Sequence, residues 1–284
     1  MANILRADIY RILRGKALYI TFASLLALHL LILTTSQNGV IGASMFEINA
    51  TLGEEETFIY DADMSEINVA LGAEETFIYD GLHIPYVLYT STDNLAYFML
   101  SLIILAAAPM FSHNTVKNGL SCGISRAKLY FSKLLLSAAL TFLLLVFYIA
   151  DGIIIATLLR GYGGSPPDGY WLYIIKVCSA QFVLMFALDC VGVFLVFTFK
   201  RVAPANGVFI AFCLVPYIVI MALMQANPDY IKLYDYNLLS GIRKLGFMSA
   251  LGTADIIRAF ATGLFYIIAP TAAGVILFNR AEIK

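Results

Sequence analysis

Charge is scarce in this chain. Asp, Glu, Lys and Arg make up 13% of its 284 residues, roughly half the quarter usual in soluble domains. The hydrophobic share is 61%, and a soluble fold of this size could not hide it, because most of its outer layer must be polar. A water-soluble globular domain is therefore excluded. Cysteine is sparse and badly placed for cross-links: Cys178, Cys190 and Cys213 lie in apolar runs and Cys122 in a basic loop, so no outer loop offers a disulfide pair. No CxxC or His/Cys spacing suggests zinc, and the three histidines, at 29, 83 and 113, are too dispersed for a cluster. The motifs GxxxxGK[ST], GxGxxG after a strand, HExxH and GxSxG are all missing. A net charge of -1 leaves no bulk basic field for nucleic acid.

What the chain has in abundance is long apolar runs. A helix needs about 20 mostly apolar residues to cross a bilayer. Six stretches qualify, near 17–36, 95–111, 134–159, 171–199, 205–225 and 256–278. The second is short as written and extends toward Tyr86 if the aromatics there mark an interface. The first follows a basic leader, but its length suits a retained span better than a short signal-peptide core. The expected fold class is an all-α integral membrane protein with six transmembrane helices in one domain over 1–284.

Charge then sorts by side. Arg6, Arg11, Arg14 and Lys16 precede the first span, and Lys117, Arg126, Lys128 and Lys133 lie between the second and third. Lys200 and Arg201 separate the fourth and fifth, and Arg280 and Lys284 close the chain. These segments hold 12 of the 18 basic residues and only two acids, Asp8 and Glu282. The positive-inside rule predicts that both termini are cytoplasmic, which for a bacterial protein means a multi-pass chain in the plasma membrane.

The first outer loop carries a tandem duplication. Residues 43–61 and 62–80 match at 14 of 19 positions without a gap. Two copies are too few for a solenoid. The stretch holds ten acids and neither Lys nor Arg, which fits either a solvated spacer or a collector of cationic ligands. Glu54, Glu55 and Glu56 superficially look like catalytic acids, but no intramembrane histidine pair accompanies them. The outer loop over 226–255 mixes Tyr230, Tyr234 and Tyr236 with apolar residues and suits interfacial or re-entrant helices.

Ionisable residues inside spans are functional candidates, since burying a charge in lipid costs at least a few kcal/mol. They are His29, Asp151, Lys176 and Asp189. Asp151 and Lys176 both fall about 10 Å below the outer surface on consecutive antiparallel helices, so the expectation is that they pair. A substrate or ion path and plain structural contacts both fit this set. Pro216 and Pro270, each mid-span, mark kinks.

Two elements at the basic side are more specific. Residues 4–16 form an amphipathic helix, with Leu5, Ile9, Ile12 and Leu13 on one face and Asp8, Arg11 and Arg14 on the other, which suits a helix in the membrane interface. The loop over 112–133 then shows a turn at Gly123 and a helix N-cap at Ser125, followed by Arg126, Lys128, Leu129 and Lys133.

This loop resembles the first cytoplasmic loop of bacterial ABC-2-type permeases, the membrane subunits of ABC exporters, which commonly reads close to G-T-I-K-N-L-L-S-x-G-I-S-R-x-K-x-x-x-x-K. Thr115, Lys117, Asn118, Ser121, Gly123, Ile124, Ser125, Arg126, Lys128 and Lys133 match, with Val116 in the isoleucine place. Asn114 where glycine is usual, Gly119 for an apolar residue, and Ser112 and His113 where an acid often stands upstream are departures. The layout also agrees: interfacial helix, six spans, a partly helical loop before the last span and a basic tail.

The resemblance implies a coupling helix that docks into a separate ATPase, with Lys117, Gly123, Ile124, Ser125, Arg126, Lys128 and Lys133 as its residues. It implies two ATPase subunits carrying ATP and Mg, and a second permease, identical or related. This chain would bind no cofactor and would be no enzyme by itself. Peptides, drugs and lipid-like molecules are the substrate classes, and the acidic loop tilts toward cationic peptides. An ion-coupled secondary transporter and a membrane sensor or anchoring subunit are the alternatives. The first lacks the repeat between halves that is common in such folds.

Overall fold

A computed structural model describes residues 2–35, 88, 92–112, 116, 120–121, 123–166, 170–227, 230, 233, 236–247 and 253–280. The acidic duplication at 43–80 and Lys117 lie outside the described residues. Among the described residues all regular structure is helical.

Helix α1, Ala2–Arg14, meets α2, Lys16–Thr35, at Gly15. After a 3-10 turn at Thr92–Asn94 come α3, Leu95–Ala107, and a short α4, Pro109–Ser112. The break between them falls where Pro109 has no N–H to continue the ladder. The remaining helices are α5, Arg126–Arg160, α6, Tyr170–Phe199, α7, Val202–Ala226, α8, Leu238–Phe247, and α9, Thr253–Arg280. Pro216 and Pro270 sit inside α7 and α9.

Four of these, α5, α6, α7 and α9, are long and apolar enough to cross a membrane, while Lys16–Leu31 and Leu95–Phe111 are apolar but shorter. The sequence expectation started the third span at 134. Instead α5 runs 35 residues from Arg126 without interruption. At 1.5 Å per residue that is about 52 Å, well beyond the ~30 Å hydrocarbon core. Its basic first two turns are therefore a direct extension of a span.

The chain packs around α6. Ile174, Val177, Leu184, Leu188, Val191 and Leu195 are buried along it, whereas α7 and α9 keep most of their apolar surface outward, with Val215 and Ile218 on α7 and Phe265 and Ile268 on α9 more than half exposed. Such faces would aggregate in water, but lipid tails match them.

Two glycines permit close approaches between long helices and their neighbours. A Cβ on Gly192 of α6 would stand 2.6 Å from Ile103 Cδ1 of α3. One on Gly274 of α9 would stand 2.4 Å from the Tyr130 hydroxyl of α5. Tyr130 leads an aromatic cluster at the basic end of the bundle. Its ring lies 4.8 Å from Phe197, which lies 4.9 Å from Phe278 and 5.3 Å from Phe111. One ring of α6 thus ties α4, α5 and α9 together, each edge-to-face contact adding about 1 kcal/mol beyond its area.

At the opposite end α8 fills the space that the sequence assigned to an interfacial or re-entrant element. Asn237 caps it, its side-chain oxygen accepting from Leu239 N at 2.9 Å and Ser240 N at 3.4 Å. Leu238, Ile242 and Leu245 are buried, and Gln181 Nε2 donates to Ile242 O at 3.1 Å. Gln181 lies 11 residues along α6, about 16 Å from its start, so α8 packs beside the upper third of α6.

Candidate functional site

The basic end is where the loop residues gather. Gly123 takes a left-handed backbone, φ 79°, and its N–H closes a turn onto Leu120 O at 3.0 Å. A Cβ is disfavoured in that conformation, so the turn needs this glycine. Ser125 follows in extended backbone as the N-cap of α5, its hydroxyl accepting from Lys128 N at 3.4 Å. Ile124 is half-buried against the core, and Ser121, Gly123 and Lys128 are exposed.

Two of the expected docking residues turn inward. Arg126 Nη1 donates to the carbonyls of Phe278, at 3.0 Å, and Asn279, at 2.7 Å. These are the last turn of α9, where unpaired carbonyls and the helix dipole attract a cation. Lys133 is 3% exposed and its Nζ donates to Asp8 Oδ2 at 2.5 Å. Residues 126–133 are thus the root of α5, committed on one side to α9 and on the other to α1.

The partner of Lys133 was hidden in the amphipathic reading of α1. Leu5, Asp8 and Ile12 face the bundle, with Asp8 and Ile12 buried, whereas Ile9 and Leu13 are exposed. The helix packs through a stripe centred on an acid because that acid meets a buried ammonium. Arg11 stands 3.3 Å from Asp8 Oδ1 and reaches Leu105 O of α3 at 3.5 Å. So α1 holds both helices that flank the loop, α3 through Arg11 and α5 through Asp8. The signal available in the sequence was the lone acid among four bases before the first span.

The intramembrane residues pair differently from the expectation. Asp151 does not meet Lys176. Its Oδ1 stands 2.9 Å from His29 Nδ1 of α2, and both side chains are buried. Tyr148 packs its ring 4.7 Å from that of His29 and donates its hydroxyl to Leu88 O at 3.3 Å. Lys176 is exposed. The reason is helical phase: the buried stripe of upper α6 runs through Tyr170, Ile174, Val177 and Gln181, and Lys176 stands with Trp171, Leu172, Ile175 and Ser179 on the outer face. Asp189 is fully buried on α6, where Ser137 Oγ of α5 donates to Oδ1 at 2.9 Å, while Oδ2 has no hydrogen-bond partner among the described residues. Asp189 and the His29–Asp151 pair are separate clusters. The described residues contain no group of three metal-ligating side chains.

Fold and site together define an all-helical protein with several helices able to span a membrane, carrying a compact basic turn at one end and buried polar pairs in its interior. No family model matches the chain, and no curated protein matches it.

Proposed function

We propose that the chain is the membrane half of an ABC exporter: a six-span permease, in which α2 and α3–α4 join the four long helices, with both termini in the cytoplasm. The observation that carries this reading is the turn at Gly123 leading into α5. A helix N-terminus favours acids, yet α5 opens with Arg126 and Lys128. Arg126 is accounted for by α9. Lys128 is exposed and works against the dipole of its own helix, which suits a contact with another protein.

The docking face is accordingly Ser121, Gly123 and Lys128, while Arg126 and Lys133 transmit. Pushing on the turn moves α5, and with it α1 and the end of α9. ATP-driven closure of two partner subunits would displace two such turns, and the helices would carry that displacement to a path between two permeases. The substrate class follows only from the resemblance and the acidic loop: peptides, drugs or lipid-like molecules.

The test is co-expression with the candidate ATPase, purification of the complex and its ATPase rate in lipid. Lys128→Glu should leave the permease inserted and abolish stimulation by the permease. Full complex yield and unchanged stimulation would remove the assignment. An ion-coupled transporter is the second reading, favoured by the buried Asp189 and His29–Asp151 groups. Transport that follows an imposed ion gradient without ATP would select it.

A further inference from the structure

At the basic end a cavity of about 250 Å³ opens between α3–α4, α6 and α7, lined by Ala108, Phe111, Val196, Lys200, Arg201 and Val202. That is far more room than one buried water requires. Among the described residues that line it, four are apolar, two are cationic and none is acidic. From these residues we infer that the cavity is a binding site for one anionic phospholipid of the adjacent leaflet, its phosphate between Lys200 and Arg201 and its glycerol and upper acyl chain against Phe111, Val196 and Val202.

Three observations converge on this occupant. The first is position: the cavity sits at the junction of two long apolar helices, α6 ending at Phe199 and α7 beginning at Val202, which is headgroup level for helices that span. Basic pockets between helices at this level select anionic headgroups. The second is the backbone at Lys200. Its φ of 54° makes it the single non-glycine residue with positive φ among the described residues, and its N–H caps α6 by donating to Val196 O at 2.9 Å. Glycine fills this capping position more easily, so a lysine keeps its charge there against a conformational penalty. The third is Arg201, which is exposed, makes no ion pair among the described residues, and is the N-cap of α7 without a side-chain capping bond. The first backbone N–H groups of α7 therefore add to the positive field beside the two cations. A soluble anion would use the charges but leave the apolar walls bare, and for that reason the lipid is the better fit. The inference does not depend on the exporter reading.

The experiment uses the full chain reconstituted in mixed phosphatidylcholine and phosphatidylglycerol, then extracted gently for native mass spectrometry. The parent protein should retain phosphatidylglycerol over phosphatidylcholine. Each basic charge near an anionic surface is worth about fivefold, so Lys200→Gly with Arg201→Gln should cut that preference by about twenty-five-fold. Lys200→Gly alone should lower retention while leaving thermal stability equal or higher, because it relieves the backbone. Val202→Trp should block retention with both charges kept. Lys16→Gln, an exposed base at the same end outside the cavity, should behave as the parent. Equal retention in the double variant, an equal loss in Lys16→Gln, or displacement of the lipid by inorganic phosphate would each overturn the site.

Discussion

The contact between Asp8 and Lys133 permits a quantitative test. Lys133 is 3% and Asp8 7% exposed, so neither charge is solvated by water once its partner is gone. Removing one member of a buried pair generally costs about 3–5 kcal/mol, because the other is stranded. The two deletions should not be equal. In Lys133→Met the Asp8 carboxylate keeps Arg11 at 3.3 Å, a residue whose side chain is 39% exposed. That remaining partner should hold the loss to about 2–3 kcal/mol. In Asp8→Asn the ammonium keeps only an amide oxygen, and the repulsion from Arg11 remains, so the loss should approach about 4–5 kcal/mol. Removing both charges leaves nothing stranded, and the double variant should lie about 2 kcal/mol or more closer to the parent than the summed single losses. Denaturant titration of all four proteins in mixed micelles measures the cycle. Single losses that add to within about 0.5 kcal/mol would show that the two groups do not interact, and equal single losses would refute the compensating role of Arg11.

Other expectations follow from the same geometry. Arg126→Gln removes two hydrogen bonds from the last carbonyls of α9, so exchange of backbone amides over 274–280 should accelerate while that of α6 stays unchanged. His29→Gln and Asp151→Asn should each destabilise by about 2–4 kcal/mol with clear coupling between them; Lys176→Met, on the exposed face, should stay within about 0.5 kcal/mol of the parent. Gly274→Ala drives a methyl into the Tyr130 ring and should cost about 1–3 kcal/mol of overpacking, measured by the same titration; no loss would mean that α5 and α9 are not in contact there.

What the sequence determined by itself was whatever depends on composition and local pattern. Scarce charge and long apolar runs dictate membrane-compatible helices, because lipid leaves backbone groups no other partner than their own helix. Ser125 was readable as an N-cap and Gly123 as a turn, since both act on neighbours within four residues. The ends of α2, α6, α7 and α9 fell within three residues of the apolar boundaries for the same reason. The tertiary structure alone decided which side chains meet. Asp8 read as part of a solvent face until α5 brought Lys133 to it across 125 residues, and Asp151 turned to His29 rather than Lys176 because the rotation of each helix about its axis is set by packing. Upper α6 has apolar residues on nearly every face, so its hydrophobic pattern carries little phase information, and only contact with α5, α8 and α9 chooses the stripe that is buried. Arg126 illustrates the same limit: its place in a basic loop was legible, but the open carbonyls of α9 that claim it lie 152 residues away, and no local pattern can announce a partner at that distance.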